Sequence, residues 1–145
     1  MPVNKKDYPS NWPELTREVK AASGWRCEWC NAPHKAVIRR KSPHDPADWT
    51  AIEKVYNKPS IPFQIDLRRR WESTANMSWA RLRYHGLTRI ILTTAHLDRN
   101  TKNNARENLA ALCQRCHLQY DILQHIANRR YGRFHAREHQ LRLEF

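Results

Sequence analysis

The sequence predicts an α+β fold, and three observations carry that prediction. Thr88–Ala95 is a β-branched, apolar run, and Leu109–Leu112 is a second short apolar run. Gln114 to about Arg130 has helical periodicity through Leu118, Ile122, Leu123 and Ile126. All four cysteines fall into two CxxC pairs, Cys27/Cys30 and Cys113/Cys116, and the second pair sits at the junction of the second strand and the helix.

In chain order, residues 1–10 are polar with two prolines and are expected to be a flexible N-terminus. Asn11 is placed to cap a helix over about residues 12–22, with Pro13 and Glu14 in its first turn. Leu15, Val19 and Ala22 fall at helical spacing, and Gly24 suits the stop. This helix and the first cysteine pair form a unit over 11–30. Residues 31–87 read as an insertion with little regular structure. It holds one candidate helix begun at Asp45 or Asp48 through Trp49, Ile52, Val55 and Tyr56, then an Arg- and Trp-rich stretch, part helix and part strand, ending in the His85-Gly86 turn. Residues 88–130 form the core unit: a strand ending at His96, the Asn-rich loop 98–104, a second strand and a helix. Residues 131–145 are a basic tail with a candidate short helix over 135–143.

The chain has 145 residues, 26 Lys and Arg against 14 Asp and Glu, a net charge of +12, and 40% apolar residues. That length suits one domain with a modest core and excludes an eight-stranded α/β barrel of about 250 residues. The three glycines form neither GxGxxG nor GxxxxGK[ST], so phosphate-loop nucleotide hydrolysis is excluded. No run reaches the ~20 apolar residues of a membrane span, and no secretory signal is visible, so a soluble, cytoplasmic protein without membrane contact is expected. The charge points to a polyanion, with DNA ahead of RNA, although an acidic protein partner would also answer it. Arg68, Arg69, Arg70, Arg99, Arg129 and Arg130 are the candidate phosphate contacts, and Arg39-Arg40-Lys41 is a further basic run.

Four cysteines in two CxxC pairs read as a tetrahedral structural Zn²⁺ site, because a two-residue spacer lets both sulfurs of a pair reach one ion at about 2.3 Å. Two disulfides or redox pairs are the alternative. Trp25 and Trp29 are expected to shield the ion. His117 follows Cys116 at once, and neighbours on a helix point about 100° apart, so His117 must serve something other than the zinc. A hairpin with a helix across it would bring His96, Asn108 and His117 to one surface.

From Ala95-His96-Leu97-Asp98 through Glu107-Asn108-Leu109 to Cys113-Gln114-Arg115-Cys116-His117, the sequence resembles the HNH endonuclease family, in particular members from phages and bacteria. The resemblance covers about residues 25–30 and 88–125. It implies a ββα-metal core with a structural zinc, a helical or irregular insertion, and a nuclease working on DNA with one catalytic divalent ion: Mg²⁺, Mn²⁺, Ni²⁺ or Zn²⁺. Carried onto these positions, it implies His96 as general base, Asn108 as the residue holding the loop and the orientation of His96, and His117 as a metal ligand. The chemistry suits the residue types, since a neutral imidazole accepts a water's proton near pH 7 and the ion stabilises charge on the phosphate.

The resemblance fails at one position. Most members carry an acidic metal ligand just before the first His, where this chain has Ala95. Asp98 or Asn108 is the candidate companion of His117 on the metal, with water and phosphate oxygens completing the shell; Asp121, four residues after His117, is expected to be a surface carboxylate or to orient the imidazole. The alternative function is a catalytically weak or inactive module of the same fold that binds nucleic acid or regulates a protein. His34, His44 and His85 sit in polar or proline-bearing segments, His125 lies on the helix with no partner in sequence, and His135 and His139 are expected to belong to a solvated tail.

Overall fold

A computed structural model describes residues 8–56 and 71–132; the Arg68–Arg70 run, the candidate tail helix, His135 and His139 lie outside the described residues. The fold is α+β, built from three helices and three small antiparallel sheets among those residues.

Helix α1, Trp12–Ala22, forms where the sequence predicts it. Its start is closed by the Asn11 carbonyl, which accepts from the amides of Glu14 and Leu15 at 3.1 and 3.0 Å. The Asn11 side chain makes no cap bond, because φ −87° and ψ 14° differ from the extended backbone that aims a capping side chain at the first turn. The helix buries Val19 fully and packs Trp12 and Leu15 around Leu109 and Ala111. Gly24 and Trp25, at φ +63° and +57°, take left-handed backbone and turn the chain into the first cysteine pair.

The expected helix near Asp45–Tyr56 does not form. Strand β1, Val37–Arg40, pairs with β2, Trp49–Ala51, in the register Ile38↔Ala51 and Arg40↔Trp49. The turn between them is held by Ser42 Oγ, accepting from the amides of His44 and Asp45, and by Asp45 Oδ1, accepting from Ala47. The three-residue spacing of Trp49, Ile52 and Val55 mimics a helix. The chain instead steps at Ile52 and Glu53 from one sheet to the next, where β3, Lys54–Tyr56, pairs with β4, Trp71–Ser73. Strand pairing thus overrides local periodicity. A 3-10 turn at Thr74–Asn76 leads to α2, Trp79–Tyr84, whose cap is Ser78 Oγ accepting from Arg81 N. Val37, Val55, Met77, Leu82 and Leu87 form the core of this region.

The expected continuous strand 88–95 is two strands. β5, Thr88–Arg89, joins β1, whereas β6, Leu92–His96, pairs with β7, Leu109–Cys113, from Leu92↔Cys113 to His96↔Leu109. The break at Ile90 and Ile91 is held by Gln114, whose side-chain oxygen accepts from Ile91 N and whose amide donates to Arg89 O. Helix α3, Gln114–Tyr131, follows β7 directly and crosses the hairpin. The hairpin strands are five residues long, so they cover only the start of α3. Cys116 is accordingly buried, and the apolar positions Leu118, Ile122, Leu123 and Ile126 are exposed rather than in the core. No helix among the described residues is long and apolar enough to cross a membrane.

Candidate metal centres and cleft

The first site is the cysteine cluster. The left-handed turn after α1 delivers Cys27 and Cys30, and the β7–α3 junction delivers Cys113 and Cys116. All four are free and buried, with their sulfurs within 4.8 Å of one another. Cys30 Sγ lies 3.7 Å from Cys113 Sγ. That matches the separation of about 3.8 Å between sulfurs bound at 2.3 Å to one tetrahedral zinc. It is far longer than a disulfide bond of about 2.05 Å. Hydrogen bonds from Cys27 and Cys30 hold the Cys113 thiol well below the usual range, and the bond with Cys113 pushes Cys30 well above it. Burial, with charge on Cys113 and Cys27, pushes Cys116 up to about 12. Cys113 is thus the readiest thiolate, Cys30 and Cys116 keep their protons unless a cation replaces them, and four inward sulfurs fit a metal ion.

Two contacts support charge on the cluster. The amide of Cys113 donates to Cys27 Sγ at 3.3 Å, and Arg40 Nη2 donates to Cys113 Sγ at 3.5 Å. Trp25 and Trp29, the expected shields, are 43% and 47% exposed. The indole packed against the cluster is Trp49, whose Nε1 donates to the Cys30 carbonyl at 2.8 Å. Nothing in the spacing of Arg40 or Trp49 from the cysteines marks them; β1–β2 pairing brings them there.

The second site is a cleft of about 510 Å³ where β6 meets α3. Thr93, Ala95, His96, Arg99, His117 and Asp121 are among the residues lining it. His96 ends β6 and is 9% exposed, stacked on Trp12 with ring centroids 5.1 Å apart and planes 8° apart. His96 Nε2 lies 3.0 Å from Asn104 Oδ1. An amide oxygen only accepts, so the imidazole carries its proton on Nε2 in the neutral form and presents Nδ1 as the acceptor.

Asn108 does not contact the imidazole. Its side chain ties the loop: Oδ1 accepts from Asp98 N, and Nδ2 donates to Asp98 Oδ1 and to the Asn103 carbonyl, each at 2.8 Å. The loop-holding part of its expected role matches this placement, and the contact to His96 is made by Asn104. The Asn-rich loop was visible in the sequence, but which asparagine reaches the ring was not.

Asp98 is occupied by that same loop, accepting from Asn100 N, Asn103 Nδ2 and Asn108 Nδ2. Against desolvation, the largest single effect and an upward one, those hydrogen bonds and the neighbouring His96 together hold its carboxyl below the usual range. The carboxylate beside His117 is Asp121, with Oδ2 at 3.2 Å from His117 Nε2. It is partly buried and also paired with Arg99 at 3.8 Å, so it is more than a surface carboxylate. His117 Nδ1 lies 2.9 Å from Thr93 Oγ1. Arg99, at φ +60°, lies over the Tyr120 ring and donates to the Tyr120 carbonyl. Arg129 and Arg130 are exposed on the last turn of α3, away from these contacts.

His34, set in a proline-bearing segment, is tied into the fold: its Nδ1 accepts from Leu92 N at 3.1 Å and its ring stacks on Trp25. His125 lines the cleft one turn beyond Asp121. Searches against protein-family models, curated proteins and solved structures found no match to the chain.

Proposed function

We propose that the chain is a divalent-metal-dependent endonuclease of the HNH kind, with a ββα-metal core and a structural zinc on Cys27, Cys30, Cys113 and Cys116, that nicks or cleaves DNA. The observation that carries this reading is the convergence of His96 and His117 on one cleft, the first from the end of a strand and the second from the helix that crosses it. The cysteine cluster beside His117 fixes the start of that helix.

In this reading a water enters the cleft and gives its proton to His96 Nδ1, while Asn104 and Trp12 keep the ring from turning. His117 would hold the divalent ion, which supplies charge stabilisation on the scissile phosphate and the leaving oxygen. Attack on phosphorus then breaks the bond to the 3′ oxygen, leaving the 5′-phosphate and 3′-hydroxyl ends that the resemblance implies. The net charge of +12 favours the approach of the polyanion.

A second reading, a nucleic-acid-binding or regulatory module of this fold without efficient cleavage, is favoured by Ala95, a buried residue at the cleft that stands where the family carries an acid. Supercoiled plasmid incubated with the protein and Mg²⁺, Mn²⁺ or Ni²⁺ decides between them, with His96→Ala alongside and an RNA of matched length as second substrate. Nicking by the wild type that is lost in His96→Ala supports the nuclease. Tight DNA binding without nicking in any metal supports the second reading.

A further inference from the structure

Trp29 is an indole that the fold fixes without enclosing. It stands between Cys27 and Cys30 on the first cysteine turn and is 47% exposed. The turn itself is tied down. Cys27 N donates to the Ala32 carbonyl at 3.0 Å and Asn31 N to the Cys27 carbonyl at 2.8 Å, while Glu28 binds Ala111 twice, its amide donating to the carbonyl and its Oε1 accepting from the amide. Trp49 is the indole packed against the cluster, so shielding the sulfurs does not account for Trp29.

The ring contacts of Trp29 lead to the cleft. Trp29 meets Tyr120 with centroids 5.6 Å apart and planes at 77°, and the Arg99 guanidinium lies over the same Tyr120 ring, 4.9 Å from its centroid. Tyr120 is anchored by its hydroxyl, which donates to the Leu97 carbonyl. Arg99 lines the cleft, with the left-handed backbone, φ +60°, that an arginine adopts only where its surroundings hold it. Its guanidinium donates to the Tyr120 carbonyl and pairs with Asp121. Arg99, Tyr120 and Trp29 thus form a row that leaves the cleft and ends at a half-open indole.

We infer that Trp29 is a stacking platform for an unpaired base flanking the phosphate in the cleft, so that the substrate is DNA with single-stranded character: a free strand, a flap or a bulge. This rests on the nucleic-acid part of the function proposed above. Paired bases present only their edges in the grooves, whereas an unpaired base has a free face that an indole takes up whatever the sequence. A cation beside an aromatic ring is the combination that holds single strands, and Arg99 supplies the cation. The exposed neighbours of Trp29 on its own turn, Arg26, Glu28 and Asn31, are polar, unlike the apolar centre of a protein interface.

The test uses zinc-loaded protein and oligonucleotides of one sequence carrying 2-aminopurine, as a single strand or in a blunt duplex, without added divalent ion. Affinity is read by anisotropy and stacking by quenching of the 2-aminopurine, for the wild type, Trp29→Phe, Trp29→Leu and Trp29→Ala, with Trp79→Ala as a control indole, 53% exposed on α2. Zinc content confirms that the cysteine site is intact. If Trp29→Ala loses its zinc, Trp29→Leu, which keeps an apolar side chain on the turn, carries the comparison. The wild type should bind the single strand more tightly than the duplex and quench its fluorescence. Trp29→Leu and Trp29→Ala should weaken single-strand binding about 5- to 100-fold, the worth of one stacked base, and lose the quenching, with Trp29→Phe close to wild type and duplex binding unchanged. Equal losses on strand and duplex, an equal loss in Trp79→Ala, or no loss at all, which would leave the indole to a protein partner, overturns the inference. Plasmid nicking with Mn²⁺ by the wild type and not by His96→Ala keeps the nuclease reading standing in that case. Stacking that depends on Trp29, with no nicking in any metal, supports the inference and overturns the nuclease.

Discussion

Trp12 lies flat on His96, their planes within 8° and their centroids 5.1 Å apart, so the first helix supplies one wall of the candidate base. Trp12 also belongs to the small cluster of Val19, Leu109 and Ala111, which ties α1 to the hairpin. Replacing Trp12 by Ala removes a half-buried indole, and about 2 kcal/mol of stability should go, some half of the 3–5 kcal/mol lost on truncating a fully buried aromatic. Urea denaturation measures this. Trp12→Phe keeps a ring against the imidazole and should retain most of both stability and nicking. Equal losses in the two variants would show that stacking on His96 is not what Trp12 provides.

Asn104 and Asn108 divide between them a role that the resemblance gives to one residue. Asn104→Ala removes the acceptor at His96 Nε2, so the ring should sample both neutral tautomers, seen directly in its ¹⁵N shifts, with nicking reduced. Asn108→Ala removes three bonds that hold residues 98 to 103 and should cost about 1–3 kcal/mol while leaving the tautomer unchanged. The reverse pattern would return the orienting role to Asn108.

The elements that hold the candidate site were legible where one local signal sufficed. Pro13, Leu15 and Val19 marked α1, the apolar run at Leu109–Leu112 marked β7, and the two CxxC pairs announced a cluster before any geometry was known. Legibility failed where a distant partner decided. Trp49, Ile52 and Val55 are spaced like a helix face, but β1 was available to pair with Trp49–Ala51. Ile90 and Ile91 look like the middle of a strand, but the Gln114 side chain breaks it. The i+4 spacing of Asp121 was visible; its approach to His117 depends on two rotamers that no pattern specifies.

The cysteine cluster should control stability. Metal binding at a structural Zn²⁺ site contributes roughly 10–16 kcal/mol, comparable with or larger than the whole ~5–15 kcal/mol stability of a small domain. Prolonged treatment with a strong chelator, or Cys113→Ser, is therefore expected to unfold or aggregate the chain. Elemental analysis of the wild type should give one zinc per chain from the cluster. Arg40→Ala, which removes a donor to Cys113, should speed zinc loss without abolishing binding. An unchanged melting temperature after verified metal removal would contradict the structural role.

His34 predicts a pH dependence of known sign. Burial first, and then the charges of Lys20 and Lys35, hold its pKa below the ordinary 6.5. Its Nδ1 accepts the Leu92 amide proton, which the protonated ring cannot do. The folded state therefore favours the neutral imidazole. The stabilisation is fully present above pH 6.5 and is lost as pH falls from there towards the lowered folded value, because the unfolded chain takes up the proton first. The loss should be about 1 kcal/mol, the worth of one such hydrogen bond. Urea midpoints at a series of pH values, compared with His34→Asn, isolate it from proton uptake by the cysteine cluster. The variant keeps an acceptor but cannot titrate, so the difference between the two proteins should grow on acidification.

Ala95 offers the sharpest test of how the cleft is completed. Ala95 is 1% exposed near the end of β6, so Ala95→Asp places a carboxylate where desolvation without a partner costs several kcal/mol. If that position faces the ion, Mn²⁺ supplies the partner, and at 100 times its dissociation constant returns about 2.7 kcal/mol. Melting of Ala95→Asp should therefore be lower than wild type without Mn²⁺ and rise more steeply with it. In the Asp121→Ala background, which lacks the carboxylate beside His117, Ala95→Asp should tighten Mn²⁺ binding relative to Asp121→Ala alone, because it puts a carboxylate on the hairpin side of the cleft. Failure of Mn²⁺ to protect either protein would place position 95 outside the metal's reach, and the acid missing from β6 would have no bearing on the ion.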